Sequence, residues 1–259
     1  NHKDIAEANV TVGIAKAAST FGKLPQAFDL SYTGAAQALL NAGETTCGEI
    51  WYKLGGGEWA KEIPTATEAK TYTVYYKIVG DSNHNDLIDD ETQKISVTVA
   101  KADAQVTAPT AKTGLSYSGE AQALVNAGSA VGATISYKLG DGEWMANIPA
   151  ATDAGDYTVA WKAVAHDNYD VDETEKRLTI KIARIADSID FSLDNVTVRC
   201  GDSVPELTAT STSGTAVTFA YSDNGNDFYA KDQLGDFTFT YGTTYYVKAT
   251  VADSANYTG

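Results

Sequence analysis

Apolar and polar side chains alternate at period two along most of this chain. Tyr72, Val74 and Tyr76 alternate with Thr73, Tyr75 and Lys77, and Ile180 and Ile182 alternate with Thr179 and Lys181. Successive side chains of a strand point to opposite faces, so the pattern predicts half-buried strands. Turn residues fall every 8 to 12 positions or so, roughly the spacing of an all-β sandwich. Gly55-Gly56-Gly57 and Gly140-Asp141-Gly142 read as tight hairpin turns, where positive φ is cheap only for Gly, Asn or Asp. Ala36-Gln37-Ala38-Leu39-Leu40 has helical propensity, but the stretch between Gly34 and Gly43 is short for a stable helix. It is read as a strand.

The pattern is copied along the chain. The fourteen residues from Leu30 to Gly43 recur almost unchanged from Leu115 to Gly128, an offset of 85 (115 − 30). At the same offset Tyr52-Lys53-Leu54-Gly55 pairs with Tyr137-Lys138-Leu139-Gly140, Gly57-Glu58-Trp59 with Gly142-Glu143-Trp144, and Tyr72-Thr73-Val74 with Tyr157-Thr158-Val159. So many identities in fixed register mark a repeat. A diverged third copy closes with Tyr245-Tyr246-Val247-Lys248-Ala249 and Asn256-Tyr257, matching Tyr157 through Asn168-Tyr169 at an offset of 88 (245 − 157).

At the front, Asn1-His2-Lys3-Asp4 resembles Asn83-His84-Asn85-Asp86, and Val12-Gly13-Ile14-Ala15-Lys16-Ala17 resembles Val97-Thr98-Val99-Ala100-Lys101-Ala102. Residues 1–17 are therefore read as the last strand of a preceding copy, followed by copies at 18–102, 103–185 and 186–259, the third lacking its last strand. Short linkers (Lys16 to Thr20, Lys101 to Val106, Ile182 to Ser188) predict semi-rigid joints and an elongated rod. Val10, Val12 and Ile14 would face a core, and left alone they would form an exposed apolar strand. Strand 8–16 of one molecule is expected to complete the third copy of another, giving head-to-tail self-association.

The shared pattern runs Tyr-x-Gly-x-x-Gln-x-Leu, then Ile-Pro-x-Ala-Thr, Tyr-Thr-Val, Asn-His or Asn-Tyr, and a Val/Ile strand ending Ala-Lys-Ala. It resembles the tandem immunoglobulin-like repeats of large bacterial surface proteins. The third copy, with Val196-Thr197-Val198-Arg199-Cys200-Gly201-Asp202, is similar to the variety called MBG-type. The resemblance implies β-sandwiches, export to the bacterial cell surface or beyond, and a stalk, fibre or adhesin context; it carries over no catalytic residue. Asp153-Ala154-Gly155-Asp156-Tyr157 has the form of the tyrosine corner of such domains, and Glu68-Ala69-Lys70-Thr71-Tyr72 departs from it, predicting a looser corner in the first copy.

Composition narrows the partners. A net charge of −15 argues against nucleic acid, which needs clustered Lys and Arg. No apolar run is long enough to span a membrane, and any leader or anchor is expected outside this piece. Cys47 and Cys200 fall in different copies and read as unpaired, half-buried thiols.

No nucleophile elbow, phosphate loop or zinc spacing is present, so no enzyme chemistry is expected. Two acidic loops are dense in oxygen ligands: Asp81, Asn83, Asn85, Asp86 and Asp89, with Asp90 and Glu91, and Asp167, Asn168, Asp170 and Asp172, with Glu173. Either they form solvated turns or they hold a weak junctional calcium ion; no other cofactor is implied. Trp59 and Trp144 occupy matching positions after a hairpin turn. They read either as lids on the core or as stacking surfaces for a glycan or a host protein. The leading expectation is a spacer whose partners are its own neighbouring repeats, the alternative a glycan- or host-protein-binding module.

Overall fold

The computed structural model describes residues 7, 9–89, 92–192, 197–235 and 238–259. Asn1 to Asp4, Ala8, Asp90, Glu91 and Val196, named above, lie outside the described residues. The described chain is all-β apart from one short 3-10 turn, Lys231–Gln233. It divides into two compact units, one of Asn1–Val106, Ala130–Thr134 and Ala163–Glu173, the other of Thr107–Ser129, Ile135–Lys162 and Thr174–Gly259.

In the first unit the strands are β1 (Gln26–Ala27), β2 (Leu30–Ser31), β3 (Gln37–Ala38), β4 (Leu40–Asn41), β5 (Gly48–Leu54), β6 (Thr65–Ala66), β7 (Thr71–Gly80) and β8 (Lys94–Ala100). One sheet has the order β2-β8-β7-β5, with β2 parallel to β8 and the other pairs antiparallel. The segment 37–41 pairs with β6 through β3 and with β1 through β4. Leu39, Leu40 and Ala66 from these short strands meet Tyr52, Val74, Tyr76, Val97 and Val99 of the larger sheet in one core. Leu39 and Leu40 are wholly buried. Burial of a leucine is worth about 1.5–3 kcal/mol, against a helix preference of a few tenths per residue, so the strand wins over the local helical propensity.

The strands recur in the second copy: β9 (Ala102–Asp103), β10 (Gln105–Thr107), β11 (Thr110–Ala111), β12 (Leu115–Ser116), β13 (Gln122–Ala123), β14 (Val125–Asn126), β15 (Ser129–Val131), β16 (Ala133–Leu139), β17 (Ala150–Ala151), β18 (Gly155–Ala165), β19 (Tyr169–Asp170) and β20 (Lys176–Ala183). The order β12-β20-β18-β16 repeats that of the first copy, and β11-β14 and β13-β17 repeat its short pairs. Leu124, Val125, Tyr137, Val159, Trp161, Ile180 and Ile182 form the buried set. Gly55 (φ 53°) and Gly140 (φ 55°) make the left-handed turn after β5 and β16, as their spacing predicts.

The third copy holds β21 (Ile185–Ala186), β22 (Ile189–Asp190), β23 (Thr210–Ser211), β24 (Val217–Ser222), β25 (Tyr229–Ala230), β26 (Tyr246–Val251) and β27 (Tyr257–Thr258). Its sheet is β25-β24-β26, so β26 is an edge strand. Where Val74, Tyr76 and Ile78 of β7 are buried, Val247, Ala249 and Val251 of β26 stay half-exposed.

Three expectations need correction. Residues 9–16 form no strand and pair with none among the described residues; Val10, Val12 and Ile14 are 82%, 77% and 94% exposed. Both cysteines read as half-buried, but Cys47 is buried and Cys200 exposed, and both are free. The corner of the first copy keeps its bond despite losing Asp and Gly: Tyr72 Oη donates to the Glu68 carbonyl at 2.9 Å, as Tyr157 Oη donates to that of Asp153 at 2.7 Å.

Candidate functional site

The feature that recurs most closely is the joint where one copy meets the next. The second and third copies each begin with a linker strand pairing in parallel with their own Asn-Tyr loop. Ala102 N–H donates to the Asn168 carbonyl (3.1 Å) and Ala104 N–H to that of Asp170 (2.8 Å), joining β9 to β19. Ile185 N–H donates to the Asn256 carbonyl (3.1 Å) and Asp187 N–H to that of Thr258 (2.8 Å), joining β21 to β27. Ahead of the first copy, Ala17 N–H donates to the Asn83 carbonyl and Asn85 N–H to that of Ala17, both at 2.9 Å.

From this fixed loop an asparagine reaches back to the copy before it. In the first unit Asn168 Oδ1 accepts the Ala69 N–H at 2.8 Å, while its Nδ2 donates to Glu68 Oε2 at 2.6 Å. In the second unit Asn256 Oδ1 accepts the Ala154 N–H at 2.7 Å, and its Nδ2 donates to Asp153 Oδ1 at 3.1 Å. Only a primary amide offers an acceptor and a donor side by side, so Asn suits a corner that presents an N–H and a carboxylate. The corner is itself held by the tyrosine bonds to the Glu68 and Asp153 carbonyls. The residue after each asparagine adds a ring contact: Tyr169 meets Tyr32 edge-on at 5.3 Å, and Tyr257 meets Tyr117 at 5.5 Å. Gly132 makes room for Tyr169; a Cβ there would lie 2.3 Å from Tyr169 Cδ1.

Each joint thus has two side-chain hydrogen bonds and one aromatic pair. At a net ~1 kcal/mol per bond and ~0.5–1.5 for the ring pair, it is worth about 2.5–3.5 kcal/mol. The ion pairs beside it, Lys101 with Asp170 (3.6 Å) and Arg184 with Asp253 (3.0 Å), are exposed and add little.

The equivalent loop of the first copy carries His84 where the others carry tyrosine. Its Nδ1 lies 2.7 Å from Asp81 Oδ1, which also accepts the Asn83 N–H at 2.8 Å. The hydrogen bond to Asp81 raises the His84 pKa above its ordinary value, and the same bond lowers that of Asp81.

The oxygens read as calcium ligands are engaged in turns and joints. Asp86 Oδ1 accepts the Gly80 N–H, Asp89 accepts from Thr92, Asn85 Nδ2 donates to the Lys16 carbonyl, and Asn168 is the joint amide. Asp167, Asp170 and Asp172 flank it. Among the described residues no three His, Cys, Asp or Glu side chains converge on a point that could hold a metal ion.

Trp59 and Trp144 are both half-buried, each with two lysines on its ring. Lys53 and Lys77 lie 4.7 and 4.5 Å from the Trp59 centroid, and Lys138 and Lys162 lie 5.0 and 4.8 Å from that of Trp144. The rings neither close a core nor stand bare; a sugar would compete with two ammonium groups, each worth ~0.5–1 kcal/mol. In the second copy Lys138 also pairs with Glu175 at 3.2 Å, and the hydrogen bonds from Lys138 and then Arg177 lower the Glu175 pKa.

The sequence reading missed Glu68, Asp153, Tyr32 and Tyr117 as joint residues, and offered Asn168 only as a turn residue or a calcium ligand. The signal was present: Tyr32 and Tyr117 sit in the repeated Leu-Ser-Tyr motif, and Asn-Tyr recurs as Asn168-Tyr169 and Asn256-Tyr257. Comparison with family models, curated proteins and solved structures found no match.

Proposed function

We propose that this chain is a non-catalytic spacer of a bacterial surface or secreted protein, a stalk, adhesin or fibre segment. It is built of tandem immunoglobulin-like sandwiches set end to end as a rod. The observation that carries the reading is the repeated joint, in which an Asn-Tyr loop grips the tyrosine corner of the preceding copy in two places with the same atoms. A contact repeated with the same residue types at two successive joints suits spacing. The strand order supports the fold: two pairings of a 37–41 or 122–126 segment face a four-stranded sheet whose first short strand runs parallel to its last. The acidic balance suits a surface protein that stays apart from its neighbours.

The test is the joint. Asn168→Ala and Asn256→Ala together should leave the circular dichroism spectrum unchanged while the Ala69 and Ala154 amides lose protection from hydrogen exchange. Unchanged protection at both would remove the joint from the account.

A second reading is that Trp59 and Trp144 present a glycan- or host-protein-binding face, favoured by two half-exposed rings at matching positions. Reproducible binding on a glycan array that Trp144→Ala abolishes would promote it over spacing.

A further inference from the structure

We infer that the outward face of the four-stranded sheet in each of the first two copies binds an anionic polysaccharide, a polymer of hydroxylated sugars bearing carboxylate or sulfate groups. The inference deepens the glycan-binding reading of Trp59 and Trp144, on which it rests, and needs nothing from the spacer reading. In the first copy Val74, Tyr76 and Ile78 of β7 are buried in the core, so Tyr75 and Lys77 lie on the opposite face. The pairing sets Trp51 of β5 opposite Lys77, and Lys53 opposite Tyr75, which is in turn opposite Lys94 of β8. Next along the strands, Thr73 stands opposite Ser96. A cationic row thus runs beside a row of hydroxyls. Two of its ammonium groups meet the Trp59 ring, Lys53 Nζ at 4.7 Å and Lys77 Nζ at 4.5 Å from the centroid.

The second copy repeats this face. Lys138, Lys162 and Trp144 stand 85 positions after Lys53, Lys77 and Trp59 (138 − 53, 162 − 77, 144 − 59). Arg177 lies opposite Ala160 as Lys94 lies opposite Tyr75, and Thr158 lies opposite Thr179 as Thr73 lies opposite Ser96. A chain with 34 Asp and Glu against 19 Lys and Arg therefore keeps three cations and a hydroxyl pair at matching places on one face of both copies.

Neighbouring acids take up part of this charge. Glu49 pairs with Lys61 at 2.6 Å, and Glu175 pairs with Lys138 at 3.2 Å and with Arg177 at 2.7 Å. Glu58 and Glu143 directly precede the two tryptophans. Lys77 and Lys162, by contrast, form no ion pair among the described residues, and each is held over a tryptophan ring instead. A ring occupies one side of an ammonium group and leaves N–H donors for an anion. A neutral sugar has to displace that ammonium to stack, whereas a carboxylate or sulfate engages it in place through a charge-assisted hydrogen bond. The hydroxyl pairs alongside supply donors and acceptors for sugar hydroxyls. Duplex nucleic acid fits less well, because one charge per ~1.7 Å of its axis meets the repulsion of a chain at −15.

Isothermal titration calorimetry of the full chain against polygalacturonate, dextran sulfate, uncharged dextran and a DNA duplex tests this. Polygalacturonate or dextran sulfate should bind, and which of them does so tells carboxylate from sulfate; affinity should fall with added salt, and dextran and DNA should give no heat. Lys77→Gln combined with Lys162→Gln should weaken binding about tenfold, while Lys77→Arg with Lys162→Arg retains it, circular dichroism being unchanged in both. No binding of either anionic polymer, DNA binding of equal strength, or an affinity indifferent to the glutamine pair would each overturn the inference. Binding of uncharged dextran that Trp144→Ala abolishes and the glutamine pair leaves untouched would also overturn it, while keeping the broader glycan reading.

Discussion

Asn168 and Asn256 spend both ends of the side-chain amide on one corner of the preceding copy, and this is what distinguishes a joint from mere adjacency. Asp in place of Asn168 would keep the acceptor but set a second carboxylate against Glu68. Asn168→Asp is therefore expected to destabilise by more than Asn168→Ala, which costs roughly 1–2 kcal/mol for the lost bonds. Urea unfolding followed at Tyr169 would show the order, and the reverse order would exclude the carboxylate partner. The His84–Asp81 pair gives a pH expectation at the same scale. A raised histidine pKa contributes stability that is full below the ordinary 6.5 and is lost as pH rises through the folded value; the lowered Asp81 value contributes above the ordinary 3.8 and is lost as pH falls through the folded one. The pair is most complete between those two ordinary values. Titration of the His84 ring by NMR should give a midpoint above 6.5 that returns toward it in Asp81→Asn; a midpoint at or below 6.5 would refute the pairing. The joint partnerships were not readable from the sequence, because Asn168 with Glu68 and Asn256 with Asp153 join residues about a hundred positions apart that only folding brings together.

At the scale of the element, period-two alternation was enough to place β7 and β20, whose inward residues Val74, Tyr76, Ile180 and Ile182 are apolar and buried. The segment 37–41 was also legible as strand despite its helical residues, because the flanking glycines left too little length for a helix. Residues 9–16 were not: their alternation matches β8, yet alternation is only a capacity to pair, and among the described residues no strand pairs with them. The same logic separates β26 from β7 and β18. With one ladder instead of two, its amides should exchange at least tenfold faster than those of β7, as measured by hydrogen exchange; equal protection would mean that its outer edge is covered in solution. A cavity test addresses the core. Leu39→Ala and Leu124→Ala remove wholly buried side chains at matching positions and should each cost about 2–5 kcal/mol in chemical denaturation, and a loss below ~1 kcal/mol would contradict their place in the core.

For the molecule as a whole, the proposed spacer role carries one expectation: copies set end to end would each add roughly 35–40 Å of strand and loop. The most direct measurement is small-angle X-ray scattering of the chain at low concentration. An end-to-end array predicts a radius of gyration of about 30 Å with a long asymmetric tail in the distance distribution, whereas a radius near ~18 Å, that of a compact domain of this length, would contradict the account.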